Sequence, residues 1–78
     1  MEIKVGMVVR SIAGHDKGDL MIVVGVDGEY AYVSDGKLRK VSKPKKKKFK
    51  HLQGSYDIYE GDLSQDYMVR KALTKYRN

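Results

Sequence analysis

Two Asp-Gly dipeptides, Asp27-Gly28 and Asp35-Gly36, constrain the fold of this chain most strongly. Both predict tight hairpin turns, because glycine readily adopts a positive φ and aspartate tolerates it. The run before the first turn, residues 20–26, is almost entirely apolar, and it suits a buried central strand better than a helix of that length. The chain is therefore predicted to form a meander of short antiparallel strands.

Residues 29–34, EYAYVS, join these two turns and alternate in the manner of a strand. Alternation places Tyr30 and Tyr32 on one face of the strand and Ala31 and Val33 on the other. The pattern alone leaves open whether the two tyrosines belong to the core or to a stacking surface. Further strands are predicted over residues 5–12 and 37–41, and residues 49–52 could add a fifth strand.

The strands and turns occupy residues 4–53 and predict a mainly β fold, a small closed or partly open barrel of about five strands. A turn and an α-helix are predicted over residues 54–77. Ser64 is the expected N-cap of this helix, and Asp66 and Arg70 have the spacing of a helical ion pair. An apolar stripe along the helix is expected to pack on the barrel. The stripe consists of Met68, Val69, Ala72, Leu73 and Tyr76.

The size and composition of the chain restrict its class. Its 78 residues are enough for one small domain. It contains no cysteine, which excludes a disulfide framework and a thiolate zinc site. No apolar run approaches the ~20 residues of a membrane-spanning helix, and the first residues do not have the pattern of a secretory signal. We expect a cytoplasmic monomer with no cofactor and no membrane partner.

Positive charge is concentrated in one window, residues 37–50. This window holds nine basic and no acidic residues, whereas residues 1–36 hold three basic and six acidic residues. Residues 51–78 hold four of each, so the net charge of +6 originates in the window. A focused basic patch of this kind favours a polyanionic partner such as nucleic acid.

The segment KPKKKKFKHL, residues 43–52, supplies most of this charge and admits three interpretations. Its lysines could neutralise RNA phosphates, keep a solvated loop soluble, or form a nuclear-import signal. We favour phosphate binding, because Lys37, Arg39 and Lys40 adjoin the lysines on a predicted strand. Lysine lacks the planar fork of arginine, so the patch would give affinity without much base recognition. We expect the lysines to point outward from a loop that is not ordered before RNA binds.

Three aromatic side chains near the lysines, Phe49, His51 and Tyr56, could stack on unpaired RNA bases. An aromatic side chain beside a strand more often packs in the core. We therefore assign Phe49 to the core and leave His51 open between the two roles.

No arrangement of residues predicts catalysis. His15 and Asp16 are adjacent, but neighbouring turn residues rarely point together, and no activated nucleophile is evident nearby. His15 and His51 do not have the spacing of a recognised metal site, and a phosphate-cradling glycine loop of the GxxxxGK[ST] type is absent from the sequence. We predict neither an enzyme nor a metal site.

The first strands carry the pattern of a known family. Gly6 precedes a strand, a turn from Gly14 to Gly18 carries Lys17 before its second glycine, and a hydrophobic strand follows over residues 20–24. This arrangement resembles the KOW motif of ribosomal proteins and transcription elongation factors, which implies an SH3-like barrel. The resemblance continues along the chain, where a lysine-rich segment is followed by an Asp-Ile turn and then by the helical sequence DYMVRKAL. This order of elements is similar to that of the archaeal and eukaryotic large-subunit ribosomal protein L-fourteen-e family. The short length favours a bacterial relative.

The resemblance covers residues 4–77 and implies a protein that binds ribosomal RNA, on the ribosome or on assembly intermediates. Asp19 departs from the motif, which usually continues with a basic or small residue. Because an acid beside the turn disfavours phosphate, we assign RNA binding mainly to residues 37–51. An alternative function is a protein-interaction module of the translation or transcription machinery that uses the apolar helix face and the tyrosines. The predicted RNA-binding residues are Arg10, His15, Lys17, Gly18, Lys37, Arg39, Lys40, Lys43, Lys45, Lys46, Lys47, Lys48, Lys50 and His51.

Overall fold

The computed structural model of the chain describes residues 2–76, which form one antiparallel sheet of five strands followed by an α-helix. The strands are β1 (Val8–Ser11), β2 (Leu20–Asp27), β3 (Tyr30–Ser34), β4 (Lys45–Lys48) and β5 (Leu52–Gln53). A 3-10 helix over Phe49–His51 joins β4 to β5, and the α-helix is α1 (Asp66–Thr74). The prediction of a mainly β fold with a C-terminal helix is confirmed. No helix within residues 2–76 has the length and apolar character needed to cross a membrane.

The strand order β4-β3-β2-β1-β5 places β2 at the centre of the sheet, as its apolar sequence predicts. β2 and β3 form the hairpin predicted at the first Asp-Gly dipeptide, where Gly28 has a φ of 62°. The predicted alternation of β3 is also confirmed. Ala31 and Val33 are fully buried on one face, and Tyr30 and Tyr32 are half-buried on the other.

The two edge strands, β4 and β5, are joined by only the three residues Phe49–His51. In a flat sheet, four strand spacings would separate these strands by roughly 19 Å. The four residue steps from Lys48 to Leu52 span at most about 14 Å when extended, and a 3-10 helix shortens that reach. The sheet is therefore strongly curved, and its two edges approach each other.

Alternating residues of β1 and β2 divide the apolar core into two clusters. Val9 and Met21 belong to an inner cluster shared by the strands, whereas Val8 and Ile22 belong to a helix cluster that packs against α1. Phe49 packs against the inner cluster, which confirms its assignment to the core. The inner cluster also contains Ile3, Met7, Val23, Ala31, Val33 and Leu52, and the helix cluster contains Val69, Ala72 and Leu73.

Residues 37–41 do not form the predicted strand. The carboxylate of Asp35 accepts hydrogen bonds from the backbone N–H groups of Lys37, at 2.8 Å, and Arg39, at 2.9 Å. The hydroxyl of Ser34 donates to the carbonyl of Arg39 at 2.6 Å. These local bonds satisfy backbone groups that would otherwise pair with a neighbouring strand. The fourth strand is instead β4, made of lysines that were predicted to lie in a loop. Of residues 49–52, the possible fifth strand, only Leu52 belongs to β5, since Phe49–His51 form the 3-10 helix.

The helix begins one residue later than predicted, with Gln65 as its N-cap. The hydroxyl of Ser64, the predicted cap, lies 2.6 Å from a carboxylate oxygen of Asp62 instead. Asp66 accepts a hydrogen bond from the N–H of Val41 at 2.8 Å. Arg70 donates to the carbonyl of Gly36 at 2.7 Å, so both members of the predicted Asp66–Arg70 pair bind backbone groups of the loop between β3 and β4. The predicted helical region extended to residue 77, which lies outside the described residues.

Candidate nucleic-acid interface

The four lysines of β4 point alternately to the two faces of the sheet. Residues directly opposite each other on paired strands share a face, so the register against β3 decides the surroundings of each lysine. The register pairs Tyr30 with Lys48, Ala31 with Lys47, Tyr32 with Lys46 and Val33 with Lys45. Two lysines therefore lie beside tyrosines, and two lie beside core residues. We call Tyr30, Tyr32, Lys46 and Lys48 the tyrosine–lysine face.

Lys46 carries the central charge of the tyrosine–lysine face. Its Nζ lies 4.6 Å from the centroid of the Tyr30 ring and 6.0 Å from that of the Tyr32 ring. Nζ of Lys48 lies 6.0 Å from the Tyr30 centroid. Cations at these distances are attracted to the π-electrons of the ring. Because Lys46 and Lys48 are exposed, their charges remain available to an anion.

Lys47 points the other way and is buried, with 6% of its side chain exposed. Its Nζ donates hydrogen bonds to Oδ1 of Asp16 at 2.8 Å and to the carbonyl of Ala13 at 2.9 Å. The hydroxyl of Ser11 lies 2.7 Å from the same carboxylate oxygen. The prediction that all these lysines point outward is wrong for Lys47, because a buried ammonium requires a carboxylate partner and Asp16 supplies one. The ion pair fastens the turn between β1 and β2 to β4.

The surroundings of Asp16 favour its ionised form. Burial by itself raises the pKa of Asp16, but the hydrogen bonds from Lys47 and Ser11 act against it. The positive charges of Lys47 and Lys45 act in the same direction as those bonds, and the pKa of Asp16 lies below its usual value as a result. Lys45 and Lys47 thus contribute to the electrostatics of the interior, while Lys46 and Lys48 contribute to those of the surface.

The turn between β1 and β2 presents His15, Lys17 and Gly18, all of them exposed. Gly18 has a φ of 94°, in the left-handed region that favours glycine. The guanidinium of Arg10 donates to the carbonyl of Gly18 at 2.6 Å and steadies the end of the turn. Asp16, in the middle of the turn, forms the ion pair with Lys47 of β4.

A groove beside this turn gathers three of the predicted RNA-binding residues together with two acids. The two carboxylates offset the two cations, so this groove suits phosphate less well than the tyrosine–lysine face does. Its charged and glycine residues are Arg10, Gly18, Asp19, Asp35 and Lys37.

The remaining predicted residues lie in the segments before and after β4. Lys40, Lys43 and Lys50 are exposed, whereas Arg39 and His51 are half-buried. A second groove adjoins Tyr30 and joins the tyrosine–lysine face to the 3-10 helix. It is lined by Glu29, Tyr30, Lys48, Phe49 and Lys50.

No protein-family model matches this chain, and no curated protein matches it. The resemblance to KOW proteins therefore stays a prediction, and the function has to be argued from the surface itself.

Proposed function

We propose that this chain is a non-catalytic RNA-binding domain with an SH3-like barrel, which binds ribosomal RNA on the ribosome or on an assembly intermediate. The strong curvature of the sheet supports the barrel, because a connection of three residues, Phe49–His51, links its opposite edges. The KOW-like arrangement of Gly6, Lys17 and Gly18 supports the choice of ribosomal RNA.

The observation that carries the proposal is the exposure of lysines on and around the tyrosine–lysine face. Lys46 and Lys48 are exposed on β4, and further exposed lysines precede and follow them in the chain. Five exposed lysines that each neutralise a phosphate would give a log–log salt slope of about −3.5 on single-stranded and about −4.5 on duplex nucleic acid. We assign the phosphate contacts to Lys40, Lys43, Lys46, Lys48 and Lys50.

Lys47 has a different role in this mechanism. Its ammonium is neutralised by Asp16, and the ion pair holds β4 in the register that turns Lys46 and Lys48 outward. The charges on the surface act by positioning the phosphate backbone, which gives affinity with little sequence preference.

The buried helix face favours the RNA proposal over a protein-interaction module. Val69 and Leu73 are fully buried and pack in the helix cluster with Val8 and Ile22. The apolar stripe of α1 is thus used within the domain, whereas the lysines of β4 have no comparable internal role apart from Lys47 and Lys45.

The test is a salt titration of binding to ribosomal RNA fragments, measured by fluorescence anisotropy. A Lys46→Gln/Lys48→Gln variant should bind more weakly, and its salt slope should be smaller by about 1.4 to 1.8 for the two lost phosphate contacts. Lys71→Gln/Lys75→Gln is the matched control, since it removes the same charge from exposed positions on and just after α1. If both variants show the same affinity and the same slope, the proposal is wrong.

A further inference from the structure

We propose that the tyrosine–lysine face is a stacking platform for two unpaired nucleotides. The preferred RNA is then a single-stranded loop, bulge or end rather than an uninterrupted duplex. This inference rests on the proposed RNA-binding function and names the class of RNA that the same surface takes.

The spacing of the two tyrosines along β3 leaves room for two consecutive bases. Tyr30 and Tyr32 lie two residues apart on one face of β3, a separation of roughly 6.7 Å along the strand. Aromatic side chains displayed in this way on a sheet face stack on unpaired bases, and every base offers a π-face to them. The bases of a duplex are stacked on each other and cannot reach such a platform without opening.

In the free protein the ammonium of Lys46 lies over the ring of Tyr30, and a base can displace it. Its Nζ lies 4.6 Å from the Tyr30 centroid. An exposed cation–π contact of this kind favours an equilibrium by only about two- to fivefold, whereas a base stacked on an aromatic ring contributes about five- to 150-fold. The base therefore displaces the ammonium, and the flexible side chain of Lys46 is then free to contact the phosphate of the nucleotide that displaced it.

The groove beside Tyr30 extends the platform. Its volume of about 300 Å³ is at the lower end of the range for small-molecule sites, which suits the edge of one base. Lys48 and Lys50 frame it with positive charge, and the exposed carboxylate of Glu29 can accept a hydrogen bond from an imino or exocyclic amino N–H of a base. The N–H of Phe49 donates to the carbonyl of Glu29 at 2.8 Å, which fixes this wall to the hairpin.

The second ring is held in place by the sheet. Gly25 on β2 pairs with Tyr32 at a β-bulge, and a Cβ atom at Gly25 would lie 3.5 Å from the ring. The ring of Tyr32 thus rests close to the backbone of β2, as a glycine inside a strand allows. A ring that is ordered before binding loses less conformational freedom when a base stacks on it.

The experiment compares two RNAs and two tyrosine variants. The probes are a short labelled oligouridine and a blunt RNA duplex with the same number of phosphates. Tyr30→Leu/Tyr32→Leu removes the rings and keeps apolar side chains, whereas Tyr30→Phe/Tyr32→Phe keeps the rings. The leucine variant should bind oligouridine at least about fivefold more weakly, with an unchanged salt slope and an unchanged affinity for the duplex. The phenylalanine variant should bind both RNAs as the wild type does.

The outcomes separate stacking from RNA binding itself. If the leucine variant loses affinity equally for both probes, or for neither, the stacking proposal is overturned while RNA binding stands. If the wild type binds neither probe, or if Lys46→Gln/Lys48→Gln leaves the salt slope unchanged, the proposed function fails. If circular dichroism shows that the leucine variant does not fold, the wild type alone is tested with an oligouridine that carries the fluorescent base 2-aminopurine. Quenching of its fluorescence on binding supports stacking, and unchanged fluorescence overturns it.

Discussion

Lys46 and Lys47 are adjacent on β4 and differ completely in their surroundings. Lys46 is exposed and lies over the rings of Tyr30 and Tyr32, whereas Lys47 is buried and bonded to Asp16. The alternation of side chains along a strand produces the difference, since it sends neighbouring residues to opposite faces. The function of a lysine in this segment therefore depends on its register against β3 and not on the density of positive charge around it.

The comparison also explains how four consecutive lysines form a strand. Lysine is a poor strand former, and like charges in a row repel each other. β4 lies at an edge of the sheet, where lysines are well tolerated because they discourage pairing with another chain. Asp16 neutralises the single lysine whose ammonium is buried, and the exposed lysines point to solvent and to the tyrosine rings.

The largest effect on stability is expected from Lys47→Met. Methionine keeps an unbranched apolar side chain in the same space but leaves the carboxylate of Asp16 buried without its cation. Removal of one partner from a buried ion pair costs about 3–5 kcal/mol of the free energy of unfolding. A domain of this size rarely has more than that in total, so the variant should be largely unfolded at neutral pH. Urea denaturation followed by circular dichroism, with an osmolyte added to populate the folded state, measures the loss.

A control and a rescue belong to this experiment. Lys48→Met makes the same chemical change one position along, on the exposed side of β4, and should leave the urea midpoint nearly unchanged. Asp16→Asn in the Lys47→Met background removes the buried charge and should recover most of the lost stability. If Lys47→Met were as stable as Lys48→Met, the buried ion pair of Lys47 would not stabilise the fold, and the proposed difference between the two faces of β4 would be wrong.

Acidification should reduce the difference between the wild type and Lys47→Met. The pKa of Asp16 is lower in the folded wild type than in the unfolded chain, so its stabilising effect is complete above the unfolded value of about 3.8. That contribution is lost as the pH falls through the folded pKa. In the variant, burial of the carboxylate without its cation makes protonation favourable to folding instead. The free energies of unfolding of the two proteins, measured from pH 7 down to pH 3, should therefore approach each other as the pH falls.

The difference between the two proteins is the quantity to compare, because the other carboxylates titrate in both. Asp62, for example, has a pKa lowered by its hydrogen bonds with Ser64, and it contributes equally to the wild type and the variant. A gap between the two curves that stays constant over the whole range would contradict the role given to Asp16.

Sequence patterns predicted the parts of the fold that local periodicity determines. The apolar run of β2, the hairpin at Gly28 and the alternation of Tyr30 and Tyr32 each follow from residues that are close together in the chain. The same holds for the helix, whose stripe residues Val69, Ala72 and Leu73 pack in the helix cluster. Residues 37–41 also alternate, but the backbone N–H groups of Lys37 and Arg39 donate locally to Asp35, and these bonds prevent strand pairing there.

The site was harder to predict because it depends on contacts between distant residues. Lys47 and Asp16 are 31 positions apart, and nothing in the lysine run marks one lysine as buried. The tyrosines were identified, but only the register between β3 and β4 places them beside Lys46 and Lys48. The sequence held one signal for the ion pair: an acid, Asp16, in the turn before the apolar central strand, in a chain whose lysines are concentrated in another segment.

The smallest effect on stability is expected from Lys46→Gln and from Lys48→Gln. Both lysines are exposed, and their contacts with the tyrosine rings are open to solvent. Surface substitutions of this kind change the free energy of unfolding by less than about 0.5 kcal/mol. The same variants should lose RNA affinity, so binding and stability separate at these positions, whereas Lys47→Met affects folding itself. Urea denaturation of each single variant beside the wild type measures the stability, and a loss comparable to that of Lys47→Met would mean that the exposed lysines also hold β4 in the sheet.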